Sequence, residues 1–419
     1  MSDDSVSRDG SRVVPRRNVL ATVGSLVASS GCLRLTATGE GTTTRETQSD
    51  DDTTTDEGAP TDTEQPDSTT ETTERTETTP EWDVELDGQW SQHFEPGEYV
   101  IDGDVLYVAD RDQTSDLGLL ALNVGDGSER WTVSAPYATR SLSLAGQTLY
   151  AGVGQRTESD GALYAVDAES GSAESVFDAD QSPTVGPPLT TADTVVFGTT
   201  YHDEGEDRLY GLSRDGYDVS WSSSVEDGYY TGGVLADGTA YLGGFDYQFG
   251  ALDPETGEWA WQENWQLAPD TDPVFRDGSL FFVDTDRGLV RLDPETGESE
   301  WSYEVERETN VVSHVSGPVF DGDVVYLTVG PNVHAVEVGG DGLWSVELPE
   351  PVRYSPAVVG DVVWVATQDT DVLHGLDVET GETVYREQLP ARTERTVAAG
   401  DRLLTFLDDR VLAFTVSRP

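Results

Sequence analysis

The sequence has one cysteine and no lysine in 419 residues. A lone cysteine, Cys32, excludes an intrachain disulfide, a cysteine-based metal site and a dithiol redox pair. The fold must therefore hold by packing and strand pairing. All 24 basic residues are arginines, set against 80 acids, for a net charge of −56. No apolar run is long enough to span a bilayer as a helix. There is no Asn-x-Ser/Thr sequon, no Gly-x-Ser-x-Gly elbow, no Walker loop and no His-Glu-x-x-His. Local signatures of a serine hydrolase, a P-loop NTPase and a zinc peptidase are thus missing. The five histidines, His93, His202, His314, His334 and His374, share no metal-ligand spacing and read as turn and rim residues.

What is present is a repeat. Leu252-Asp-Pro-Glu-Thr-Gly-Glu258 returns letter for letter as Leu292-Asp-Pro-Glu-Thr-Gly-Glu298. Asp opens such a turn through its side-chain oxygen, Pro fixes the next φ, and Gly takes the left-handed φ that closes a bulged hairpin. Softer copies start at Asn123, Asp167, Ser213, Glu337 and Asp377, and the strand after each turn carries a bulky residue: Trp131, Phe177, Trp221, Trp261, Trp301, Trp344, Tyr385. Before each turn lies a second hairpin whose bend falls near Asp102, Ala145, Ala192, Asp237, Asp277, Asp321, Gly360 or Gly400. Each unit is four short strands in about 42 residues, the size of a propeller blade. Such a blade buries its two faces only by stacking on neighbours.

The expected fold is all-β: an eight-bladed β-propeller of four-stranded antiparallel blades, with seven blades as the alternative. The last unit lacks its tryptophan strand, and Trp82-Asp-Val-Glu-Leu86 matches Arg130–Ser134 in pattern. An N-terminal strand that completes the last blade leaves no free edge. The pattern Leu-Asp-x-x-Thr-Gly-x-x-x-Trp, carried best by Asp253, Thr256, Gly257, Trp261, Asp293, Thr296, Gly297 and Trp301, resembles the repeat of the pyrroloquinoline-quinone (PQQ) propellers. That family includes quinoprotein dehydrogenases and the BamB lipoprotein of bacterial outer-membrane assembly. The resemblance covers residues 82 to 419 and implies fold more than function.

Three regions follow from composition. Residues 1–31, with Arg16-Arg17 and a small-residue apolar run, resemble a twin-arginine signal that ends in a lipobox, Ser29-Ser30-Gly31-Cys32. Cys32 is the expected lipidation site. Residues 32–80 are rich in Thr, Asp, Glu and Pro without one aromatic, the composition of a disordered tether. Residues 81–419 form the propeller. From Glu81 onward 64 acids face 17 arginines, so the excess charge belongs to the folded part as well. Such a surface repels itself unless salt screens it, and it resembles that of proteins from extreme halophiles, pointing to a haloarchaeal source. Nucleic-acid binding is disfavoured.

Three acidic loops, of which Asp110–Asp116 is the longest, invite a calcium reading. Ser115 and Ala121 stand where an EF-hand needs Gly and Glu, so no metal is expected. Quinoprotein enzymes hold their cofactor under an adjacent-cysteine disulfide. The resemblance therefore implies no cofactor here, with PQQ held by other contacts as the lesser reading. The loops between blades gather scarce arginines and aromatics: Arg140, Tyr230, His314, Arg353, Tyr354, Arg392 and Arg395. Around a central funnel they would suit a partner protein or an anionic small ligand. The expected function is a ligand- or protein-binding scaffold at the cell surface, lipid-anchored to the cytoplasmic membrane. The alternative is an exported PQQ-dependent oxidoreductase.

Overall fold

The structure is a computed structural model that describes residues 84–418, apart from 112–117, 135–138, 155–159, 181–183, 200–206, 226–228, 246, 266–270, 285–286, 306–314, 353 and 368–370. The described residues form eight four-stranded antiparallel sheets. Seven are continuous: blade 1 (96–133), blade 2 (139–180), blade 3 (184–225), blade 4 (229–263), blade 5 (274–303), blade 6 (319–347) and blade 7 (357–388). Blade 8 takes three strands from 393–417 and its outer strand, Glu85–His93, from the other end of the chain. First strands of successive blades pack on one another around the axis, so the first strand of each blade is its innermost.

Eight apolar clusters lie between neighbouring blades, one for each interface. Leu106, Val108 and Leu122 of blade 1 meet Leu404, Phe406 and Val411 of blade 8, which completes the circle. Strand alternation explains this: the second and third strands of a blade are covered on both sides, so successive residues are buried whichever face they take, as in Ser279–Asp284. Outer strands alternate exposed with half-buried positions, as in Gly342–Glu347.

The repeated turn is built as its residues require. The Asp253 carboxylate accepts the Glu255 N–H at 2.8 Å, the Gly257 N–H donates to the Asp253 carbonyl, and Gly257 has φ 72°. One bulged residue follows on the outer strand, which brings Trp261 opposite Ala251. The same station holds Trp131, Trp221, Trp301, Trp344, Tyr385 and, in blade 8, Trp90.

Each tryptophan then reaches the next blade. Trp261 covers Gly297 and donates its indole N–H to the Pro294 carbonyl at 2.9 Å; Trp131 does the same to Gly171 and Ala168, and Trp344 to Gly381 and Val378. A large flat ring fits there only because the turn glycine has no side chain.

Two expectations need correction. The closing strand does pair with the C-terminal strand, Glu85 with Ser417 and His93 with Arg410, but its tryptophan is Trp90. Gln89 supplies the bulge, and Trp90 covers Gly127 as its counterparts cover theirs. Trp82 lies outside the described residues. The second correction concerns His334 and His374, which are buried in third strands and not at turns or rim. Loss of hydration pushes both imidazoles down to about 4, helped at His374 by Arg386.

A candidate functional site on the loop face

One face of the wheel carries the repetitive hairpin turns. The other carries the connections between blades, where the first strands begin. Four residues before the end of these strands stand Glu98, Gly232, Asp272, Gly317, Ser355 and Arg395, from blades 1, 4, 5, 6, 7 and 8. Their contacts run around the axis. A Cβ on Gly232 would come within 2.5 Å of Asp272 Oδ1, and one on Gly317 within 3.6 Å of Ser355 Oγ and 3.8 Å of the Asp272 nitrogen. The Arg395 guanidinium lies over the Tyr354 ring at 5.0 Å and the Tyr99 ring at 5.4 Å. Cation–π contact on both sides fixes that side chain across the seam between blades 7, 8 and 1.

Glu394 organises the charged part of this mouth. A bulge between Thr393 and Arg395 takes it out of the strand ladder. Its carboxylate accepts the Tyr354 hydroxyl at 3.2 Å, with Arg111 at 3.5 Å and Arg392 at 4.0 Å. The Glu394 side chain is only 13 % exposed, whereas Arg111 and Arg392 are 41 % and 51 % exposed. The two guanidiniums therefore keep donors facing solvent while one buried carboxylate holds them together. Gly97 makes room for this: a Cβ there would meet Arg111 Cγ at 2.8 Å.

Asp272 stands apart electrostatically. It reaches solvent at the mouth, yet protein crowds its carboxylate, and that loss of hydration pushes it up to about 6. The Gly233 N–H, 3.3 Å from Oδ1, opposes the rise, and Glu98 adds to it. Tyr99, packed on Phe406, is raised by burial, with Arg395 pulling the other way.

Of the residues expected at the funnel, Tyr354, Arg392 and Arg395 come together here. Arg140 occupies a bulge on blade 2 and donates to the Gly154 carbonyl at 3.1 Å. Tyr230 is buried between blades 3 and 4, its hydroxyl on the Pro187 carbonyl at 2.9 Å. His314, Arg353 and Cys32 lie outside the described residues. Sequence reasoning missed Arg111, Glu394, Asp272, Glu98 and Tyr99. A signal for one was available: Thr271-Asp-Pro-Val-Phe275 and Ser316-Gly-Pro-Val-Phe320 share a frame that marks Asp272 as the variable position.

A family model described as outer membrane protein assembly factor BamB, built on the PQQ repeat, matches residues 205–338 and 316–417, together half of the chain. The chain belongs to this family. No curated protein matches the sequence. Among solved structures, BamB from Moraxella catarrhalis is similar at 19 % identity and TM-score 0.60, over 79 % of this chain and 97 % of that one. The quinohemoprotein alcohol dehydrogenase of Comamonas testosteroni is similar at 14 % identity and TM-score 0.59, over 80 % and 76 %. The computationally designed Ika8 protein is similar at 12 % identity and TM-score 0.61, over 78 % and 98 %. Likeness at these identities extends to the fold, and the BamB-family repeat supplies scaffold without dictating the chemistry at its mouth.

Proposed function

We propose that the protein is an extracytoplasmic, membrane-tethered scaffold that binds a partner protein or an anionic ligand at the mouth of its loop face. The observation that carries this reading is the Arg111–Glu394–Arg392 group. In a chain with so few cations, two half-exposed guanidiniums converge beside the axis with Tyr354 and Arg395. Guanidinium pairs held by a buried carboxylate suit carboxylate or phosphate groups. BamB in the family supports a place outside the cytoplasm, and Cys32 after the signal-like segment supports the lipid tether. A quinoprotein role fits the mouth poorly. The charged and aromatic residues described there are tyrosines, arginines and three acids, and the single cysteine cannot form a disulfide beneath which a quinone would sit. No catalytic step is drawn through such a cofactor.

The test is a pull-down from native membranes, comparing the full-length wild type with the Arg111→Ala plus Arg392→Ala variant. The double change leaves Glu394 the Tyr354 hydroxyl without either guanidinium, so melting curves accompany the pull-down, and a variant that is still folded should capture nothing. Equal capture by the two proteins would move the binding surface elsewhere. Dye-linked oxidation after addition of PQQ would favour the oxidoreductase instead.

A further inference from the structure

The mouth has a second pole. Blades 1 and 5 stand opposite in a ring of eight, so Glu98 and Asp272, at one station of the first strands, face each other across the axis. The Glu98 charge raises Asp272, and both acids raise the Tyr99 hydroxyl while Arg395 lowers it. Groups of both signs therefore surround that hydroxyl. Among the described residues, no arginine forms an ion pair with either acid.

The fold does not ask for Asp272. Thr271-Asp-Pro-Val-Phe275 and Ser316-Gly-Pro-Val-Phe320 lead into the same strand of adjacent blades, and Gly317 stands where Asp272 does. Glycine serves there. The carboxylate, by contrast, is crowded, accepts one N–H at 3.3 Å and has no counter-charge. Its surroundings run without a break to the arginines. A Cβ on Gly317 would lie 3.8 Å from the Asp272 nitrogen and 3.6 Å from Ser355 Oγ. Ser355 adjoins Tyr354, whose ring carries Arg395 and whose hydroxyl reaches Glu394. Arg392 stands three residues nearer the opening than Arg395, at most about 10 Å at the rise of a strand.

Resting on the anion site at Arg111 and Arg392, we propose that the mouth binds a zwitterion of lysine length. Its carboxylate lies on the two guanidiniums and its ammonium on the axis between Asp272 and Glu98. The separation of the poles suits an ω-amino acid, or the carboxylate and side chain of a C-terminal lysine. A free α-amino acid, whose two charges are adjacent, spans too little. An ammonium has three donors, enough to serve two carboxylates at once and to offset the repulsion between them. The chain has no lysine of its own to fill that place.

The probe is ε-aminocaproate, titrated by calorimetry into the full-length protein. Caproate lacks the ammonium, hexylamine lacks the carboxylate, and glycine has both charges side by side. Saturable binding of the zwitterion is expected, about tenfold tighter than that of each comparator, the worth of one charge-assisted contact. Asp272→Asn keeps an oxygen for the Gly233 N–H and should erase the advantage of the zwitterion over caproate. Absence of saturable ε-aminocaproate binding overturns the inference. So does an affinity equal to that of caproate, or an advantage that survives in Asp272→Asn. The anion site is judged separately, by whether partner capture depends on Arg111 and Arg392, so that reading can stand when this one falls.

Discussion

Trp90 lies against Gly127 with its indole N–H 2.8 Å from the Val124 carbonyl, and this contact pins the first strand of the fold to the blade that follows it. In blades 1, 3, 4, 5 and 6 a tryptophan joins blades that the chain already connects. At this seam the strand that carries the tryptophan also pairs with the C-terminal strand, so ladder and ring together close the circle.

Trp90→Ala should therefore destabilise by about 3–5 kcal/mol, the usual cost of emptying a large aromatic site. Urea unfolding beside Trp344→Ala measures it. Loss of the latch should leave the Trp90 variant at least as unstable as its internal counterpart. An unchanged midpoint would mean that strand pairing alone closes the circle.

The glycine under the ring allows packing to be separated from backbone strain. Gly127 and Gly103 both have positive φ, 68° and 57°. A Cβ on Gly127 would meet the Trp90 ring at 2.6 Å, while one on Gly103 would meet nothing within 4 Å. Gly103→Ala should cost about 1–2 kcal/mol from the left-handed backbone alone. Gly127→Ala should cost that and a further ~1–3 kcal/mol of overpacking. Equal losses in thermal melts would deny any tight fit.

Acid should find the two buried histidines. The folded chain holds His334 and His374 neutral down to about 4, whereas an unfolded histidine takes a proton near 6.5. The stability tied to them is complete above pH 6.5 and is lost as the pH falls towards 4. His334 faces the Tyr303 hydroxyl and His374 faces Arg386, and neither partner is a carboxylate that could stabilise the charged ring. The variant with His334→Gln and His374→Gln should lose less melting temperature between pH 6.5 and 4 than the wild type. Parallel curves would refute the assignment.

Asp272 runs the other way. Its folded value of about 6 exceeds the ordinary 3.8, so the fold prefers it protonated and loses stability as the pH rises through that window. Asp272→Asn keeps an oxygen for the Gly233 N–H and removes the charge. Its melting temperature should exceed that of the wild type at pH 7 and match it at pH 3. A variant less stable at both would mean that the carboxylate is paired, not crowded.

Much of the fold could be read from the repeat, because the Asp-Pro-Glu-Thr-Gly turn and the tryptophan after it are local devices with fixed spacing. Errors arose where spacing changed. Trp82 and Trp90 both sit in strand-like surroundings, and only the register on the C-terminal strand selects Trp90. Phe177 looked like the aromatic of blade 2, but it follows Gly171 by six residues where Trp131 follows Gly127 by four, and its pairing with Leu163 takes it past the tryptophan station. The mouth was harder still. Arg392, Arg395 and Tyr354 were visible as scarce residue types, but Arg111 and Glu394 acquire meaning only when loops of blades 1, 7 and 8 meet. His334 and His374 misled for a related reason: a histidine in a short apolar strand gives no sign of which neighbour covers it.

Glu85 and Ser417 are partners, so the polypeptide comes in and goes out through the same floor of the wheel. Tension applied from the N-terminal side is borne first by that outermost ladder, which peels from Glu85 towards His93 and must pull Trp90 from its seat before the rim gives way. The opposite side, with its arginine-bearing mouth, hangs free of the line of pull.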